Sequence, residues 1–245
     1  AKDFSLDLDA IRAALTPATK AIIINSPNNP TGRIYSASEL AALGKALTDY
    51  SAQADTSIFL IADEPYRKIV FDDFEVPGVL SAYRNSLVVS SYSKDLSLAG
   101  ERIGYIAFHP EIYEKHALSG ALTLANRILG FVNAPAMAQR LVGDLQGMTV
   151  DNSIYARRRQ IFCTILREAG YEFFEPNGAF YIFPKSPLED DVAFVDILLK
   201  ERILAVPGRG FGRKGYFRLA FCVDDKVIGG AAEGLRTAMQ IARKS

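Results

Sequence analysis

Lys94 stands in Ser91-Tyr92-Ser93-Lys94, directly after the apolar run Ser86-Leu87-Val88-Val89, and Arg102 follows eight residues later through a small-residue stretch containing Gly100. An amine whose pKa is lowered by desolvation or nearby positive charge can join an aldehyde as a Schiff base. Asp63 closes a second apolar run, Ser57-Ile58-Phe59-Leu60-Ile61-Ala62, and is followed by Glu64, Pro65 and Tyr66. A carboxylate facing a pyridine nitrogen keeps that nitrogen protonated, so the ring draws electrons from a neighbouring carbanion. Asn29, in Asn28-Asn29-Pro30-Thr31-Gly32, and Tyr66 supply an amide and a phenol able to hold a ring oxygen. Ser91, Ser93 and Arg102 supply the hydroxyls and the guanidinium fork suited to a phosphate. Whether Ser91 or Ser93 is the main phosphate ligand stays open.

These are together the requirements of pyridoxal 5'-phosphate, and they can be met only if the groups converge. In an open parallel sheet, ligands bind at the carboxyl ends of the strands. The pattern predicts such a sheet: short β-branched or apolar runs at 21–25, 57–62, 87–90 and 104–108, with crossover segments between the first three. SPNNPTG stops the first run, and Ser36-x-x-Glu39 reads as a capping box opening a helix. From 110 to 170 the chain reads mostly helical, with the longest helix starting near Val150, capped by Asp151 or Asn152 and ended by Gly170. Short strands then follow at 171–174, 179–183, 203–206 and 217–221, before a closing helix over 226–244. The fold class is α/β, a partial and mostly parallel sheet flanked by helices, plus a smaller α+β carboxy-terminal domain. The domains divide as 1–150 and 151–245.

Other chemistries find little support. Lysine plus arginine and aspartate plus glutamate balance at 28 each, which removes the electrostatic footprint of a nucleic-acid binder. The longest apolar runs are strand-sized, so no membrane span is expected, and no charged-then-apolar leader opens the chain. Cys163 and Cys222 lie in no C-x-x-C spacing and read as buried thiols of a reducing, cytoplasmic compartment. His109 and His116 are the only histidines, so no His-rich metal site is expected. Gly208-Arg209-Gly210-Phe211-Gly212 imitates a dinucleotide fingerprint, but a strand rather than a helix follows, so it reads as a loop near a substrate. Ser119 to Ala125, SGALTLA, reads as helix packing.

The stretches NSPNNPTG, ADEPY, SYSKDLSLAGERIG and FRLAF, in this order, resemble the class I/II pyridoxal-phosphate aminotransferases of fold type I. NGAFYIFP and VPGRGFG resemble small-domain segments of the same family, so the likeness covers essentially the whole chain. The resemblance implies that Lys94 carries the cofactor and shuttles a proton between substrate Cα and cofactor C4′. It implies that Asp63 pairs with the pyridinium nitrogen, and that Asn29 and Tyr66 bond the ring oxygen with Pro65 near the ring face. Ser91, Ser93 and Arg102 would hold the phosphate, and Arg218, in Phe217-Arg218-Leu219-Ala220, would clamp the amino acid's α-carboxylate. The implied partners are an amino acid, a 2-oxo acid and a second copy of the chain in a homodimer. A β-eliminating C–S lyase would use the same residues. A non-catalytic remnant acting as a binding module is the alternative outside enzymology.

Relatives of this family carry a substantial segment before the equivalent of Ala21. It supplies a Gly/Ser turn at a helix amino terminus under the phosphate, an aromatic over the ring, and strands completing the sheet. The expectation is therefore a carboxy-terminal part of an aminotransferase that binds cofactor weakly by itself. Its exposed sheet edges would favour association.

Overall fold

The four apolar runs become one sheet in a computed structural model that describes residues 3–244. Helix α1 (Leu8–Ala14) is capped by Asp7, whose carboxylate accepts the Ala10 N–H at 3.0 Å. Strand β1 (Ala21–Asn25), helix α2 (Ala37–Gln53), strand β2 (Phe59–Asp63), helix α3 (Val79–Ala82) and strand β3 (Ser86–Ser91) follow. β3 runs directly into helix α4 (Tyr92–Asp95), and strand β4 (Gly104–Phe108) returns beside it. The order is β1-β2-β3-β4, with the first three parallel and β4 antiparallel to β3. The capping box forms as the sequence predicts: the Ser36 hydroxyl accepts the Glu39 N–H while the Glu39 carboxylate accepts the Ser36 N–H.

One face of this sheet is packed against helices, and the other is covered only in part: Leu87 is buried, but its neighbours on that side are open. Ile24, Leu60, Ala62 and Val88 meet Leu40, Leu43 and Leu47 of α2 in a single buried cluster. On the opposite face Ile23 is 69 % exposed. Along β2, buried residues alternate with half-buried ones, so continuous apolar strands do not mean cover on both sides here. Helices α5 (Lys115–Ile128) and α6 (Ala136–Asp144) complete this region. α5 has no buried residue, so SGALTLA is not the packing segment that its composition suggests.

The carboxy-terminal part contains helix α7 (Asn152–Glu168), strand β5 (Tyr181–Ile182), helix α8 (Asp191–Lys200), strands β6 (Val206–Pro207) and β7 (Phe217–Ala220), and helices α9 (Asp225–Gly230) and α10 (Ala232–Lys244). The strands form an antiparallel sheet in the order β5-β7-β6. Asp151 caps α7, and Gly170, at φ +85°, ends it. Residues 171–174 form no strand, because the segment finds no ladder partner and is held instead by isolated bonds such as Lys185 N–H to the Glu172 carbonyl at 2.8 Å. The closing helix is two helices, α9 and α10, meeting at Ala231.

Two compact units emerge. The second gathers the short segments 28–33 and 70–74 with the residues from 151 onward, and the first holds the rest. The loop bearing Asn29 therefore belongs to the second unit. Cys163 is buried in α7, and burial pushes its thiol up to about 12, leaving it unreactive. Cys222 is exposed rather than buried, because it falls in the connection after β7. No helix among the described residues is long and apolar enough to cross a membrane.

Candidate active site

Parallel register brings three strand ends of the first unit to one edge. Asn25 at the end of β1 lies opposite Asp63 at the end of β2, and Asp63 lies opposite Val89 of β3. The Asn25 side-chain amide donates to the Asp63 carbonyl at 2.8 Å and to its carboxylate at 3.2 Å. Burial raises the Asp63 carboxyl above its ordinary value, and among the described residues no cation pairs with it. Its neighbour Glu64 faces inward instead. The Glu64 N–H donates to the Val89 carbonyl at 2.9 Å, its carbonyl accepts the Ser90 hydroxyl at 3.0 Å, and its carboxylate takes Arg67 at 2.7 Å. These anchors fix the backbone from which Asp63 projects. Tyr66 is buried one turn further on, where its carbonyl accepts the Ile69 N–H at 2.8 Å.

β3 turns at Ser91 into α4, which carries Ser93 and Lys94. Ser91 is the amino-terminal cap residue of α4, yet its hydroxyl makes no capping bond, and among the described residues neither it nor the Ser93 hydroxyl has a partner. Both serines and Lys94 are half-buried. β4 lies close enough that a Cβ at Gly104 would sit 2.4 Å from the Ser90 carbonyl oxygen, so glycine is required there. Gly100, by contrast, is uncrowded. Arg102 is exposed, in the left-handed region at φ +51°, and its guanidinium donates to the Ala99 carbonyl at 2.8 Å. It is neither paired with Glu101 nor bonded to Ser91 or Ser93. Asp63, Tyr66, Ser91, Ser93 and Lys94 thus follow the carboxyl ends of adjacent strands, whereas Arg102 is spent on its own loop.

A second constellation lies in the other unit. Arg218 on β7 donates to the Asn29 side-chain oxygen at 3.0 Å. Its guanidinium carbon lies 4.7 Å from the Tyr181 ring centre and 4.9 Å from that of Phe211. Among the described residues no carboxylate pairs with Arg218. A half-buried arginine held by two aromatic faces and an amide oxygen is oriented and only partly satisfied, so it can still take a carboxylate. Phe211 is itself placed by the turn Gly208–Phe211, where Arg209 grips the fully buried Asp191 through its backbone N–H at 2.8 Å and its guanidinium at 3.0 Å.

The aminotransferase class I and II profile matches residues 1–235. The chain belongs to that family. A curated relative from Aquifex aeolicus, named probable aspartate/prephenate aminotransferase, is 32 % identical over 96 % of this chain and 60 % of its own length. An aromatic-amino-acid aminotransferase 2 from Thermococcus litoralis is 28 % identical over 89 % of this chain and 57 % of its own. Among solved structures, an aminotransferase from Eubacterium rectale superposes with a TM-score of 0.94 at 40 % identity, over 98 % of this chain and 60 % of that one. The chain spans about 60 % of the length of the relatives it matches. Its sheet and helices are the α/β architecture of fold type I aminotransferases.

Sequence reasoning reached this family through its lysine, aspartate and arginine stretches, and missed three supporting residues. Asn25 was visible only as the last residue of a strand, although a polar side chain ending a β-branched run next to an Asp-ended run was the available signal. Tyr181 and Phe211 lie in segments the sequence singles out, NGAFYIFP and VPGRGFG, but nothing in the sequence pairs them with Arg218.

Proposed function

We propose that this chain holds pyridoxal 5'-phosphate and the carboxylate of an amino acid within an aminotransferase that moves an amino group between an L-amino acid and a 2-oxo acid. One observation carries most weight: Asp63, a half-buried carboxylate with no cationic partner among the described residues, ends the strand next to the one that turns into Lys94. The residues fit the cofactor, because a pyridinium would supply the positive charge that Asp63 lacks and a phosphate would use the free hydroxyls of Ser91 and Ser93. When bound, the cofactor supplies an electron sink for the charge left on substrate Cα as its proton departs.

The chain's own groups do the rest. Lys94 would hold the cofactor through its amine, and that amine would move the proton between substrate Cα and the cofactor's C4′. Asp63 keeps the ring nitrogen protonated, with Asn25 holding the carboxylate in place. Tyr66 would donate to the ring oxygen, and Asn29, in the second unit, is assigned to the same oxygen on the family resemblance alone. Ser91 and Ser93 donate to the phosphate, and Arg102 adds positive charge after exchanging the Ala99 carbonyl for it. Arg218 binds the substrate α-carboxylate, with Asn29 beside it, at a net worth of about 1.5–3 kcal/mol for a charge-assisted pair.

The names of the relatives span aspartate, prephenate and aromatic amino acids, so we commit to the amino-acid and 2-oxo-acid class. We also place the protein in the cytoplasm as a homodimer. Exposed Leu124, Ile128, Leu129 and Phe131 support association. The test is to incubate the protein with excess pyridoxal 5'-phosphate, reduce with borohydride and map the modified peptide. Pyridoxyl-Lys94 is expected, and label confined to other lysines removes this function. Adding an amino acid before reduction separates two fates: amine retained as pyridoxamine phosphate marks transamination, and free ammonia marks a lyase.

A further inference from the structure

Helix α4 has four residues and no side-chain cap at its amino end. One helical turn fixes too many dihedrals for too few hydrogen bonds to stand alone. The direction in which Lys94 projects is therefore set by what grips α4 from outside: Tyr92 at its start, whose N–H donates to the Ile103 carbonyl at 3.3 Å, and, next to the lysine, Asp95. Its carbonyl accepts the Val150 N–H at 2.7 Å and the Thr149 hydroxyl at 3.3 Å. Its side chain is buried, with the Lys68 ammonium 3.8 Å from Oδ2, while Oδ1 is buried without a hydrogen-bond partner among the described residues. Lys68 follows Tyr66 by two residues and also donates to the Met148 carbonyl at 3.0 Å. A single ammonium thus ties together the turn after β2, the turn after β3 and the segment 148–150. A buried carboxylate is costly unless its charge is compensated. Burial raises the Asp95 carboxyl, and the charge of Lys68 is the leading influence against that rise.

We propose that Asp95, with Lys68 as its counter-ion, is a positioning residue for Lys94: the pair locks the α4 turn in the orientation that presents the lysine amine to the cofactor aldehyde. This rests on Lys94 being the cofactor-bearing lysine. Both residues act through the α4 backbone and neither takes part in proton transfer.

The test compares wild type with Asp95→Asn, Lys68→Met and Lys68→Arg, using free pyridoxal 5'-phosphate as probe, borohydride reduction and peptide mapping. Asp95→Asn keeps the shape and removes the charge. Lys68→Arg keeps the charge. We expect label at Lys94 to form about tenfold more slowly in Asp95→Asn and Lys68→Met, a loosening smaller than the full misplacement that costs about 100-fold, and at the wild-type rate in Lys68→Arg. Label at the exposed Lys45 should be unchanged throughout, a control for reagent and reduction, while an unchanged far-ultraviolet circular dichroism spectrum excludes a general loss of fold. Amide exchange at Ser97 and Val150 should quicken in the two neutral variants only. Lys68 is only partly buried, so Lys68→Met gives a folded test even if Asp95→Asn does not fold. Equal labelling of Lys94 in all four proteins overturns the proposal, as does Lys68→Arg behaving like Lys68→Met. Absence of label at Lys94 in the wild type is a different result, which removes the functional reading and this role together.

Discussion

Asn25 reaches from the end of β1 to Asp63 at the end of β2 and binds both its carbonyl, at 2.8 Å, and its carboxylate, at 3.2 Å. A neutral donor of this kind orients a carboxylate without neutralising it, which leaves Asp63 charged, half-buried and strained toward protonation. Because burial raises its folded-state pKa, the folded chain retains that proton at pH values where the unfolded chain has lost it. Stability from this group therefore falls as pH rises from the ordinary carboxylate range through the raised folded value, and is constant above it. Asp63→Asn should remove that slope and leave Tm at neutral pH equal to or above wild type. The same change should cut labelling at Lys94 and any transamination by about 100-fold or more. Calorimetry at acid and neutral pH checks the first part, and a Tm well below wild type at pH 7 contradicts it.

Arg218 should be intolerant of lysine. A lysine keeps the charge but loses the planar fork and the stacking between Tyr181 and Phe211. Arg218→Lys is expected to weaken binding of a 2-oxo acid by about 10- to 100-fold, the equivalent of roughly 1.5–3 kcal/mol, with Tm close to wild type. Titration calorimetry measures it, and unchanged affinity would assign the carboxylate elsewhere.

Gly32 anchors the loop that carries Asn29. It sits at φ +71°, its carbonyl accepts the N–H groups of Asn177 and Gly178, and a Cβ there would lie 2.2 Å from that of Pro176. Strain and overlap add, so Gly32→Ala should cost about 3 kcal/mol or more. Urea unfolding followed by circular dichroism reads the loss.

Asp72 and Arg159 form a paired clamp in the second unit. The Arg159 guanidinium, 9 % exposed, donates twice to the Asp72 carboxylate at 2.6 and 2.8 Å and once to the Pro176 carbonyl at 2.9 Å. Its hydrogen bonds hold the Asp72 carboxyl below its ordinary value. The associated stability is therefore present above the ordinary carboxylate range and lost as pH falls through the lower folded value. Asp72→Asn should cost about 2 kcal/mol, less than a fully buried pair because Asp72 is more than half exposed. The deficit should shrink as pH falls below the ordinary carboxylate range, as seen in denaturant titrations at several pH values; a deficit independent of pH excludes the pairing.

Much of the first unit was readable from local pattern. Strands 21–25 and 104–108 begin and end where the apolar runs do, and the Ser36–Glu39 box opens α2, because short-range sterics and capping bonds act within a few residues. In the second unit 171–174 failed as a strand and the final helix broke at Ala231. The first segment is short, and its state depends on whether a ladder partner exists rather than on its own residues, whereas the helix breaks just after Gly229-Gly230, residues that cost helix stability.

By its order of types alone, the sequence determined the candidate groups: an amine after a strand, a carboxylate ending another, an arginine on a third, each fixed by position along a periodic backbone. Only the tertiary structure decided which neighbours complete them, namely Asn25 on Asp63, Tyr181 and Phe211 on Arg218, and Lys68 on Asp95. It also decided that Arg102 turns to its own loop. Those choices join residues far apart in the chain, and their energies arise from burial and register that no local stretch contains.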